Sequence, residues 1–122
     1  MKVFKHASAI WNGTVPAGTG SMKLGRAGEV LPFSLKSRVE DVPMTNPEEL
    51  IGAAHAGCFS MALSSLIEEE GKVPGTVETS AKVTLEQRDD GFWISEINLI
   101  TRGSNQAMTN DEFVALAEKA KT

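Results

Sequence analysis

The sequence has 122 residues, 41% of them hydrophobic, with 11 Gly, 5 Pro and one Cys. A chain of this length makes one domain that buries about 65% of its unfolded surface. A formal net charge of −4 with scattered Lys and Arg argues against a nucleic-acid or anionic-membrane partner, and one cysteine excludes an internal disulfide framework.

The opening MKVFKHASAIWNG lacks the apolar core of a secretory signal. Residues 3–11 alternate loosely around Trp11 and stop at Asn12-Gly13, a turn signal, which predicts a first strand. GTGSMKLG (18–25) reads as a second short strand between glycines. VLPFSLKSRVE (30–40) alternates, with Leu31, Phe33, Leu35 and Val39 on one face and Lys36, Arg38 and Glu40 on the other, and predicts a third. These three strands predict an antiparallel sheet covered on one face.

A helix follows. Asn46 can cap it, Pro47 suits its first turn and Glu49 completes an N-x-x-E capping box. Its apolar residues (Leu50, Ile51, Ala54, Phe59, Met61, Leu63, Leu66, Ile67) keep to no single stripe, which predicts burial all round. Glu68, Glu69 and Glu70 mark its return to water, and Gly71 suits the position just past its end. The apolar run Leu50–Leu66 is interrupted by His55 and serines, and it falls short of the ~20 residues of a bilayer span. Strands at 76–87 and 92–103, joined by the RDDG turn, come next. A second helix opens at Thr109 with the box T-N-D-E and runs through Phe113, Leu116, Ala117 and Ala120. It meets Thr122 with no closing glycine, so the chain reads as stopping early. The prediction is a single α+β domain over 1–122, in the order β-β-β-α-β-β-α.

A central helix of about 24 residues would be ~36 Å long, too long for two small sheets to cover. Its small residues (Gly52, Ala53, Ala54, Ala56, Gly57, Ser60) allow a second helix to come close. A two-fold homodimer with packed central helices meets the need, and a monomer covered by a missing tail is the alternative.

By residue type alone, Cys58 among Ala and Gly reads first as inert packing. Arg38 reads as a solvated charge and Glu48 as a first-turn carboxylate that favours the helix dipole. His55 reads as a packing residue that shares a face with Cys58. One Cys and two distant His make no metal site.

The segment TNPEELIGAAHAGCFSMALS (45–64) changes the weighing, because it resembles the signature of the OsmC/Ohr family, the osmotically inducible and organic hydroperoxide resistance proteins. AAHAGCFSMAL is closer to the OsmC branch. The resemblance implies an OsmC-like fold in an intertwined homodimer, and the residues, with no secretory signal and no disulfide framework, fit a reducing, cytoplasmic setting. The implied activity is a thiol peroxidase that reduces organic hydroperoxides, and hydrogen peroxide less well, in oxidative or osmotic stress. It implies no cofactor or metal and an external dithiol donor, possibly of lipoyl type. Cys58 then falls on the peroxidatic cysteine, Glu48 on the family's acidic residue and Arg38 on its active-site arginine, with Arg26 the next candidate. The family's resolving cysteine lies in a CPVS-like segment after the second helix, and this sequence stops at EKAKT before that point.

The chemistry is coherent. The thiolate attacks the O–O bond and becomes a sulfenic acid. A cysteine in mid-helix is remote from the helix N-terminus, so a cation must be brought to it. A guanidinium keeps its charge in an apolar site. Glu48 would hold that guanidinium through a bidentate pair, and Ile51, Phe59 and Met61 would favour alkyl hydroperoxides. Glu48 and Cys58 are ten residues apart, ~15 Å of helix rise. Either the helix breaks at Gly52 or Gly57, or Glu48 serves Cys58 of the partner subunit. Two other functions remain open from the residues, a non-catalytic binder of an apolar ligand and a redox sensor that reacts once.

Overall fold

A computed structural model of the protein describes residues 1–25 and 28–121. The chain divides into two compact units, Met1–Leu50 and Ile51–Thr122.

The first unit carries a three-stranded antiparallel sheet in the order β1-β2-β3, from β1 (Ala7–Asn12), β2 (Thr19–Leu24) and β3 (Val30–Phe33). β1 starts later than the alternation from residue 3 predicts. Trp11, Gly20 and Phe33 sit in one row across the sheet. The two rings fold over the glycine, their centroids 5.5 Å apart. A Cβ on Gly20 would lie 2.6 Å from Trp11 Cε3 and from Phe33 Cε1, so only glycine fits beneath them.

Residues 34–40 differ from the predicted strand. After Phe33 the chain turns into a short helix, α1 (Leu35–Val39), with Ser34 as its N-cap. The reason is local. Leu35 and Val39 are four apart, a spacing that fits a helix as well as a strand, and Ser34 with Ser37 makes a reciprocal capping box that decides for the helix. Arg38 therefore projects from a helix and not from a strand. Thr45 then ties the approach to the next helix back to β3, donating its hydroxyl to the Pro32 carbonyl.

α2 (Pro47–Glu69) is unbroken, so neither Gly52 nor Gly57 interrupts it. Its predicted start and stop are both present. Asn46 Oδ1 accepts from the Glu49 N–H at 2.8 Å. At the other end Gly71 (φ 76°) lets its own N–H reach the Glu68 carbonyl and the Lys72 N–H reach that of Ile67, a Schellman closure. By length and composition the whole helix would pass as a membrane span, a test that core helices also pass.

The second unit is built on a long hairpin, β4 (Thr76–Arg88) and β5 (Gly91–Ser104), in register from Thr76↔Ser104 to Arg88↔Gly91 with a bulge near Thr84/Leu85. A stripe of α2 packs on it. Gly52 brings the helix against Val83 and Ala81, and Ser60 Oγ donates to Thr79 Oγ1 at 2.6 Å. Leu63 and Ile67 are fully buried and Ala56 nearly so. These spacings of three and four are one helical face. The opposite face is open within the chain: Ile51, Ala54, His55, Cys58 and Met61 are all exposed. The helix is apolar all round, and the chain's own sheet covers one side of it.

α3 (Asn110–Ala120) starts at the predicted cap, with Thr109 Oγ1 accepting from the Glu112 N–H. Phe113 rests on Gly103 of β5, whose missing side chain makes the space.

Candidate active site

The sequence singles out Arg38, Glu48 and Cys58, and the structure sets them in two local arrangements. In the first unit, α1 delivers Arg38 to Glu48 in the first turn of α2. Arg38 Nε donates to Glu48 Oε1 at 2.7 Å. The Glu48 side chain is 8% exposed and that of Arg38 35%. A buried carboxylate needs such a partner, because its desolvation is otherwise uncompensated. Its place near the helix N-terminus adds a favourable field. The predicted fork is absent, since Glu48 Oε2 is buried and accepts from no described residue. The pair is a single charge-assisted bond.

In the second unit, Cys58 lies on the open face of α2, off the stripe that packs on the hairpin, and it is exposed. Inert packing in the core of its own chain is therefore not its role. It lines a cleft of about 1020 Å³ together with His55, Phe59, Leu99, Phe113 and Arg102. His55 and Cys58 line it together because three residues on a helix bring side chains to one side. The walls from β5 and α3 could not be found from the motif, because they come from strand and helix positions forty and more residues further along the chain. Thr101, also in the lining, faces Thr79 across the hairpin, their hydroxyls 3.1 Å apart. Arg26 lies outside the described residues. Among the described residues no group of three or more His, Cys, Asp or Glu side chains could hold a metal ion.

The perturbed carboxyls lie elsewhere. Glu112 is held below its ordinary range by a hydrogen bond from Lys72, with help from the Thr109 backbone. Glu86 is lowered by a hydrogen bond from Ser95 and then by Arg88. Both are surface groups of the α3 cap and the hairpin.

Residues 40–122 match the family described as OsmC-like protein. The chain is 38% identical to the peroxiredoxin OsmC of Escherichia coli (strain K12), over 99% of this chain and 85% of that protein. Among solved structures it resembles an organic hydroperoxide resistance protein from Elizabethkingia anophelis, with a TM-score of 0.73 and 26% identity over 98% of this chain and 84% of the other. An OsmC protein from Legionella pneumophila shares the fold, with a TM-score of 0.68 and 23% identity over 98% and 84% of the two chains.

Proposed function

Since the chain belongs to the OsmC family, we propose that it is a thiol-dependent peroxidase in which Cys58 reduces organic hydroperoxides with the help of the Arg38–Glu48 pair. The observation that carries this reading is the place of Cys58, exposed on the wall of a cleft that mixes apolar and polar side chains. The thiolate attacks one peroxide oxygen. The S–O bond forms, the O–O bond breaks, and the alkoxide that leaves takes a proton from water to become the alcohol. Sulfur is oxidised to the sulfenic acid and the peroxide is reduced. Cys58 is the one thiol of these 122 residues, and an external dithiol can return its sulfenic acid to the thiol. The first thiol expels water to form a mixed disulfide, and the second releases Cys58. A lipoyl-type dithiol in the reducing cytoplasm suits that role. Phe59, Ile97, Leu99 and Phe113 in the cleft wall favour an alkyl or aryl hydroperoxide over hydrogen peroxide.

The working unit is a two-fold homodimer. The open apolar face of α2, with Ile51 45% and Met61 73% exposed, supports it, since such a stripe normally has a cover. Ten residues of unbroken helix separate Glu48 from Cys58, ~15 Å of rise. The Arg38–Glu48 pair of one subunit therefore serves Cys58 of the partner subunit. There the guanidinium stabilises the thiolate and the departing oxygen.

The test is mass spectrometry after one equivalent of cumene hydroperoxide. Oxidation of Cys58 with release of the alcohol is expected, and an unmodified Cys58 in folded protein would overturn the reading. The cleft also admits a second reading, a non-catalytic binder of an apolar ligand, which would consume no peroxide.

A further inference from the structure

We propose that Ser34 and Ser37 are positioning residues for Arg38, their reciprocal cap setting where the guanidinium stands. The inference rests on the reading that Arg38 serves the Cys58 thiol, and it assigns the residues that aim it.

α1 is five residues long, far too short to persist by helix propensity alone. The serines hold it. The Ser37 N–H donates to Ser34 Oγ at 3.2 Å, and the Ser34 N–H donates to Ser37 Oγ at 2.9 Å. The Ser37 hydroxyl donates to the Ser34 carbonyl at 3.0 Å. Ser37 is 2% exposed, so its hydroxyl is spent inside this ring of bonds. The same Ser34 carbonyl accepts the backbone N–H of Arg38 at 3.3 Å. The residue that carries the guanidinium is thus bonded directly to the cap.

At the far end of the side chain, Arg38 Nε meets Glu48 Oε1. Where the guanidinium stands along that bond depends on the direction in which the side chain leaves α1, which the box determines.

The test compares hydroperoxide reduction by S34A, S37A, S34T, R38M and R38M/S34A. S34A and S37A should each lower kcat/KM about fivefold, mostly in kcat, the population shift expected when an ordinary helix cap is lost. S34T, which keeps the capping oxygen, should restore the rate, and R38M/S34A should be no slower than R38M. Should S37A fail to fold, S34A against S34T carries the comparison. A slow R38M beside full-rate S34A and S37A overturns this inference alone, as does a loss in R38M/S34A that multiplies the two single losses. A full-rate R38M overturns the reading of Arg38 and this inference with it.

Discussion

Replacing Arg38 by Met separates the structural and chemical roles of the Arg38–Glu48 pair. The change removes the 2.7 Å bond to Glu48 Oε1. Oε2 has no described partner already, so the carboxylate would be left buried with neither oxygen matched. Removing one partner of a fully buried pair costs about 3–5 kcal/mol, and of an exposed pair about 0–1. With Glu48 8% and Arg38 35% exposed, the cost should fall between these, at about 2 kcal/mol. That is a fall of about 8 °C in Tm for a domain of this size. R38M/E48M removes both charges and should regain most of the stability, since exchanging both partners for apolar groups is close to neutral. Activity should not return with it. Both variants should reduce cumene hydroperoxide at least about tenfold more slowly than the parent, a loss of transition-state stabilisation. Thermal melts and steady-state rates on the same preparations read the two effects. A parent-like melt for R38M would refute the account of the pair, and a parent-like rate in either variant would refute the role of Arg38.

In a protein of these 122 residues, which hold one thiol, excess hydroperoxide without a dithiol should carry Cys58 past the sulfenic to the sulfinic acid and abolish activity irreversibly. Activity fully recovered by dithiol after such treatment would contradict this. Gly20→Ala should destabilise the first unit by about 1–3 kcal/mol through overpacking against Trp11 and Phe33, and an unchanged thermal melt would show that the rings yield freely. Glu112 has a folded pKa below its ordinary value of 4.5, mainly through Lys72. Its contribution to stability is present above that ordinary value and is lost as pH falls through the lowered one. The Tm gap between the parent and Lys72→Ala should therefore narrow on acidification below the ordinary carboxylate range, leaving the share of the Lys72 bond to the Ala107 carbonyl, and a gap constant with pH would refute the assignment.

The parts of the fold that were legible in the sequence are those coded by short-range contacts. Asn46 and Gly71 bound α2 because caps act within a turn of the helix they end. Asp89-Asp90 closes the hairpin and Thr109 opens α3 for the same local reason. α1 was hidden because Leu35 and Val39 satisfy both periods, and a serine at the third helical position is a weaker box signal than Glu or Gln. The open face of α2 was illegible for a different reason. A helix apolar all round carries no stripe to show which side its own chain covers, and Gly52 and Ala56 pack by being small. The three site residues were found through the family motif and not through their types. Their geometry is set by the fold, which joins Arg38 to Glu48 by one bond in place of a fork and sets Cys58 on a cleft whose far wall is β5 and α3.

The most direct test of a site shared between subunits is complementation. C58S lacks the thiol and R38M lacks the guanidinium, so each alone should be nearly inactive. Unfolded together and refolded at equal amounts, half of the dimers should be mixed, and each mixed dimer should hold one intact site, made from Arg38 of the C58S chain and Cys58 of the R38M chain. Peroxidase activity should then rise to about a quarter of the parent's for a two-fold dimer. A mixture as inactive as its two components would contradict the account.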